Sequence, residues 1–187
     1  LRRGAEVGAG GDQVAHVVHA MDPLLRRTVG PQIEMDISIG ARIPRILMDS
    51  TQLEQILMNL IVNARDAIVG AGTVRLALET VEIDELTRGL APGRYVGIEI
   101  TDSGSGMTPD VRSRIFEPYF TTKARNKGTG LGLATVHGVV QQAGGEIRVD
   151  SAPDEGTTFY ILLPATDQVS EPRPVLDSST STATILV

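Results

Sequence analysis

Cysteine and tryptophan are absent from these 187 residues, and aromatics make up only 3% of them. Without cysteine there is neither a disulfide frame nor a thiolate metal site, and a reducing compartment is permitted. Positive charge is also scarce. Seventeen Lys and Arg stand against 23 Asp and Glu, the net charge is -6 and the pI is near 5.1. The basic residues are scattered, whereas a nucleic-acid surface clusters them to neutralise phosphates, so nucleic acid is excluded as a partner. No apolar run reaches the roughly 18 residues that span a bilayer, and no positive segment leads into a signal-type apolar stretch. The expectation is a soluble, cytoplasmic piece. Because the chain starts at Leu1 and stops at Ile185-Leu186-Val187, it reads as cut from a longer protein, whose membrane anchor, if it has one, lies outside the segment.

What is present is enough apolar material, 41%, for one core and a single α/β domain. Val14, Val17, Val18, Met21, Leu24 and Leu25 fall at helical spacing, with Pro23 as a candidate bend or break. Ile33, Met35, Ile37 and Ile39 alternate with polar residues, the period of a half-buried strand. From Ser50 onward Leu53, Ile56, Leu57, Leu60, Ile61, Ala64 and Ile68 form one stripe; Asp49 or Ser50 is placed to cap its start, and Gly70 and Gly72 to stop its end. Alternation returns at 74–78 and 96–100. A short helix follows Thr108-Pro109, a longer one covers 131–142, and a hairpin joins 146–151 to 157–163 around Pro153-Asp154-Glu155-Gly156. The sum is a two-layer α/β sandwich, a mixed, mainly antiparallel sheet with helices on one face. Residues 1–31 form an N-terminal segment and first helix, 32–164 the main domain, and 165–187 a Ser-, Thr- and Pro-rich linker that turns apolar only at its end.

Three constellations carry chemistry, in chain order. Asn59 and Asn63 are four apart and share a helix face with Asp66. Two hard, neutral amide oxygens above a groove suit a magnesium ion that keeps several waters and bridges phosphates; a single Asn on such a face is also an ordinary solvated residue. Asp102 leaves a strand end into Asp102-Ser103-Gly104-Ser105-Gly106-Met107. An acceptor-only carboxylate there can take a hydrogen bond from an exocyclic amine such as adenine N6, Gly104 and Gly106 let backbone approach the base, and Met107 offers a polarizable wall. The same composition also describes a common loop.

Lys127-Gly128-Thr129-Gly130-Leu131-Gly132-Leu133 then joins a cation, three glycines and a hydroxyl to a helix start, where free N–H groups attract phosphate. It is neither a Walker loop nor a dinucleotide fingerprint. Between the two loops lies Phe116-Glu117-Pro118-Tyr119-Phe120-Thr121-Thr122-Lys123, the one aromatic cluster, readable as core packing or as the hinge of a phosphate lid. His16 and His19 are spaced like a metal pair but lack a third ligand, and read as solvated or packing residues; His137 reads as structural.

Taken together, these residues resemble a known family. Asn59 to Ala67 looks like the N box, Asp102 to Met107 the G1 box, Phe116 to Phe120 the F box, Lys127 to Leu133 the G2 box, and Gly156-Thr157-Thr158-Phe159 the last element of the catalytic, ATP-binding domain of bacterial sensor histidine kinases. That is a Bergerat-type fold shared with gyrase-type topoisomerases and a heat-shock chaperone. The resemblance covers roughly residues 33–164 and implies ATP and magnesium as cofactors. By it, Asn63 is the magnesium ligand, Asn59 a phosphate or metal-shell contact, Asp102 the adenine reader and Thr157 a second contact near the base. Residues 119–130, with Thr121, Thr122 and Lys123, form the ATP lid, and Lys127 with the loop behind it contacts phosphate. Many members have a Lys three after the magnesium Asn; here it is Asp66, which leaves Arg65 or Lys127 to supply the cation and resembles both the nitrogen-regulation subgroup and the ATPase relatives.

Asn59 separates kinase from ATPase within this resemblance. Hydrolytic relatives carry a Glu there as general base, and an amide cannot accept the proton. The expectation is therefore phosphoryl transfer to a histidine rather than hydrolysis. Neither His16-Val17-Val18 nor His19-Ala20-Met21 fits the family's phosphoacceptor pattern, so the acceptor belongs to a separate dimerisation domain of a homodimeric parent, which passes phosphate to a response regulator or receiver domain. Thr182 to Val187 looks like the opening strand of such a receiver. The alternatives are a gyrase- or chaperone-type ATPase and a nucleotide-sensing regulatory module.

Overall fold

The computed structural model describes residues 13–86, 89–122 and 129–166. Lys123, Lys127 and Gly128 of the expected site, the first twelve residues and 167–187, with the receiver-like end, lie outside the described residues.

Helix α1 (Gln13–Val29) buries Val14, Val17, Val18, Met21 and Leu25 along one stripe. It runs through Pro23 without ending. The proline faces solvent, so the carbonyl four residues earlier, which loses its N–H partner, can reach water instead. Strand β1 (Ile33–Ile39) follows, then a two-residue strand, β2 (Arg45–Ile46), too short to show a period. Helix α2 (Ser50–Ala67) is capped by Asp49: its Oδ1 accepts the Thr51 N–H at 2.8 Å, and the Gln52 side chain returns to the Asp49 N–H at 3.4 Å. Such a cap contributes about 1 kcal/mol, whereas each buried Leu or Ile of the stripe Leu53, Ile56, Leu57, Leu60 and Ile61 contributes about 2 kcal/mol. Packing therefore holds the helix, and the cap sets where it begins. It ends at Ala67, with Ile68 extended, ahead of the two glycines expected to stop it.

Strands β3 (Gly72–Ile83) and β4 (Gly93–Asp102) form a long antiparallel pair. Helix α3 (Pro109–Arg114) starts at the Thr108 cap with Pro109 in its first turn, as expected. Helix α4 (Gly132–Gln142), strand β5 (Glu146–Ser151) and strand β6 (Thr157–Thr166) complete the chain's described part. Strand β6 continues through Ala165 and Thr166, two residues into the stretch assigned to the linker, because β2 supplies their pairing partners.

Strand order is β1-β3-β4-β6, with β5 beside β6 and β2 at the end of β6. Among the described residues only β1 with β3 is parallel, which makes the sheet mixed and mainly antiparallel, as expected. Register arranges the helix-facing side chains in cross-strand rows. One row is Leu78, Ile98, Ile161 and Ile147; the next is Leu76, Ile100, Phe159 and Val149. These pack with the stripes of α1 and α2 and with Val136 and Val140 of α4 in a single core. The other sheet face carries Arg75, Glu79, Glu99, Thr101 and Tyr160, exposed or half-buried. The following row breaks the apolar pattern. It reads Val74, Asp102, Thr157 and Ser151.

Candidate functional site

Where the apolar rows run out, the sheet, the end of α2 and the start of α4 enclose a cavity of about 370 Å³, the size of a small-molecule site. Of the residues expected from sequence, Asn59, Asn63, Asp66, Asp102, Gly106, Met107, Thr121, Thr122, Thr129, Gly130, Gly132, Leu133 and Thr157 all line it. Residues separated by a hundred positions thus meet around one space. Gly104 stands behind Asp102 rather than in the wall, and Leu131 is the residue preceding α4, 39% exposed. Val62, Ala67, Val111, Ile115 and Phe159 also line the cavity. They give it apolar walls, and in the sequence they are indistinguishable from core.

The floor is Asp102, 5% exposed. Its Oδ1 accepts the Gly104 N–H at 2.8 Å, and the Thr157 N–H donates to the same carboxyl group. Burial raises its pKa above the ordinary carboxylate range, and the two backbone donors only partly offset this. The turn after Asp102 is tight because Gly104 has no side chain: a Cβ there would lie 2.7 Å from both Ala67 Cβ and Asp102 Oδ1. The Ser105 N–H bonds the Ala67 carbonyl at 3.0 Å, and the Asp154 N–H bonds the Ser105 carbonyl at 2.8 Å. These bonds tie the loop to the end of α2 and to the β5–β6 turn.

Asn59 and Asn63, both half-buried, form the opposite wall with Val62 and Asp66. Gly132, the first residue of α4, abuts Asn59; a Cβ on it would sit 3.1 Å from Asn59 Oδ1. No side chain caps α4 at Leu131, so its first N–H groups and the positive helix end are available to an anion beside the Asn pair. Arg65 Nε donates to Asp66 Oδ1 at 2.9 Å, so this candidate cation is already paired. Among the described residues no group of three or more His, Cys, Asp or Glu assembles. His16 and His19 are exposed.

Two members of the aromatic cluster pack as core residues do. Phe116 packs its ring 5.1 Å from that of His137 and Phe120 lies under the Arg114 guanidinium at 4.4 Å, both against the core. Phe120 also reaches the cavity, whereas Tyr119 is 75% exposed. The Tyr119 N–H bonds the Gly130 carbonyl at 2.9 Å, joining the two sides of the cavity mouth.

Comparison with known proteins agrees with this geometry. The family profile described as "Histidine kinase-, DNA gyrase B-, and HSP90-like ATPase" matches residues 48–167. The sensor kinase CckA of Brucella abortus (strain 2308) is 43% identical over 145 residues, 75% of this chain and 15% of CckA. The sensor histidine kinase ZraS of Escherichia coli (strain K12) is 36% identical over 155 residues, 83% of this chain and 30% of ZraS. This chain therefore spans less than a third of the length of these two relatives. Among solved structures, the mycobacterial sensor histidine kinase MprB aligns with a TM-score of 0.64 at 29% identity, covering 81% of this chain and 93% of that one. Full-length ShkA in complex with AMPPNP aligns at 0.59 and 30% identity, covering 83% and 30%. With the Asn pair, the buried Asp and the uncapped helix start around one cavity, the chain belongs to the histidine kinase-, DNA gyrase B- and HSP90-like ATPase family, in its form as the ATP-binding catalytic domain of sensor histidine kinases.

Proposed function

We propose that this domain binds Mg-ATP in the cavity and transfers the γ-phosphoryl group to a histidine on a separate dimerisation domain of the same parent. In this reading Asp102 accepts the adenine amine, Thr157 makes a second contact beside the base, and Asn59, Asn63 and the start of α4 face the phosphates. By the family resemblance, Lys123, Lys127 and Gly128 would contact the phosphates as well.

The donor set fits magnesium. Asn63 offers a hard amide oxygen, Asn59 lies one turn away, and the remaining positions would go to phosphate oxygens and water, as this metal prefers. When bound, magnesium supplies charge neutralisation between the phosphates. The chain's own part is to orient the nucleotide and hold the γ-phosphoryl group for an in-line acceptor. The observation that carries the reading is Asn59 in the wall beside Gly132: its amide can bind but cannot take a proton from water. The parent, on this reading, is a cytoplasmically facing homodimer whose phosphate passes to a response regulator or receiver domain.

The test is steady-state ADP release at saturating Mg-ATP, with nucleotide occupancy measured in the same sample. The expected result is one bound ATP per chain with almost no turnover, and phosphate appearing on an added histidine-containing dimerisation domain. Many turnovers per site in the absence of an acceptor would overturn the transfer reading in favour of hydrolysis.

A further inference from the structure

Among the described residues, the polar or charged side chains that are buried are three: Asp102, Thr157 and Ser151. They stand side by side on β4, β6 and β5, in one row of the sheet. Asp102 and Thr157 line the cavity, but Ser151 does not. A buried hydroxyl next to a site and outside its wall needs an account of where its hydrogen goes.

Ser151 has one hydrogen, and its Oγ lies 2.9 Å from the Gly156 carbonyl, a partner that can only accept. The same Oγ lies 3.0 Å from Thr157 Oγ1. With the Ser151 hydrogen committed to Gly156, the Thr157 hydroxyl must be the donor in the second bond. Its hydrogen then points away from the cavity, and its lone pairs are left toward the cavity. Asp102 and Thr157 accordingly present two acceptors to the cavity, the carboxylate and the hydroxyl oxygen, and Thr157 presents no donor.

We propose that Ser151 is a positioning residue that fixes the Thr157 hydroxyl as an acceptor and so selects a purine bearing an amine at C6 over one bearing a carbonyl there. The selection rests on the reading of the cavity as a nucleotide site. A 6-amino group presents hydrogens to both acceptors. A 6-oxo group presents lone pairs to them, and such a site rejects a mismatched polar group far more sharply than a missing methylene. A Thr157 hydroxyl without its Ser151 acceptor could turn and donate to the 6-oxo group, which would relax the rejection.

The experiment measures dissociation constants for ATP and inosine triphosphate, which differ in this group, by calorimetry on the chain as it stands. The unaltered chain is expected to prefer ATP. Ser151→Ala should reduce the ATP-to-inosine preference about tenfold, the size of one hydrogen bond, and Ser151→Thr, which keeps the hydroxyl, should retain it. Thr157→Val should lose preference to the same degree, and adding Ser151→Ala to it should change nothing more. A merely structural role would weaken both nucleotides together. An unchanged preference in Ser151→Ala, or an equal further loss in the Thr157→Val background, overturns the positioning role while leaving the ATP site standing. Should the unaltered chain bind neither nucleotide, the site reading fails and this inference fails with it.

Discussion

At the floor of the cavity, Asp102 and Thr157 belong to strands whose register fixes them to their neighbours, and the Gly104 and Thr157 N–H groups hold the carboxyl directly. At the mouth, Asn59 and Asn63 project from one face of α2, half-buried, toward the start of a different helix. The floor is thus built by backbone and the mouth by side chains carried on separate elements. A base has a fixed shape and a fixed donor pattern, which a rigid floor can read. Phosphates and a hydrated metal need charge and adjustable oxygen ligands, which a helix start and two amides supply. On the proposed reading, selectivity belongs to the floor and metal-dependent affinity to the mouth.

The largest effect should follow from the floor. Asp102→Ala removes a buried acceptor and leaves an apolar void against the base, so ATP affinity should fall by about 100-fold or more, the consequence of losing roughly 3 kcal/mol of charge-assisted hydrogen bonding. Calorimetry reads this, and binding that survives unchanged would remove Asp102 from the site. The raised pKa of Asp102 adds a pH signature. The folded chain holds this proton to higher pH than the unfolded chain, so the contribution of the protonated group to stability is present at acid pH. It is lost as pH rises through the window between the ordinary carboxylate range and the raised value. ATP affinity should run the opposite way and appear as the carboxylate forms. In melting curves of the nucleotide-free protein, Asp102→Asn should abolish this pH dependence; if the dependence persists, another group is its source.

At the mouth the effect should be smaller and conditional on metal. Asn63→Ala should cost about tenfold in ATP affinity when magnesium is present, and little when it is chelated, since the lost interaction is one ligand of a largely hydrated ion. Equal losses in both conditions would mean that Asn63 touches the nucleotide itself, and the contrast between floor and mouth would no longer divide along metal dependence.

How far the sequence disclosed this arrangement depends on the range over which each signal acts. The α2 stripe, the strands around Ile37, Leu76 and Ile98, and the hairpin turn at 153–156 are written in local period and turn chemistry, and the fold class followed from them. The residues around the cavity were legible because glycines, an Asp at a strand end and two Asn one turn apart are unusual in combination. Ser151 was not legible. In sequence it is the last residue of a strand, and only the β5–β6 register sets it against Thr157. The pairing of Arg65 with Asp66 was hidden likewise, because adjacent residues on a helix do not ordinarily face one another. Nor did Pro23 announce that its missing N–H falls on the solvated side of α1, where losing it does not end the helix.

The smallest expected effect bears on whether the mouth is set by α4 or by α2 alone. Gly132 is the first residue of α4 and does not adopt a left-handed conformation, so its backbone accepts a side chain. Replacing it by Ala should favour the helix by about 0.5–1 kcal/mol, a rise of roughly 1–4 °C in melting temperature for a chain of this size. The same methyl group would stand 3.1 Å from Asn59 Oδ1 and displace the amide by a few tenths of an ångström. Affinity for Mg-ATP should then fall by about twofold to fivefold while stability rises. Opposite signs in one variant are hard to obtain unless the helix start and the Asn59 amide are matched to each other at the site. A gain in stability with unchanged affinity would show that Asn59 is placed by α2 alone, and that the mouth tolerates more slack than the floor by design of a single helix face.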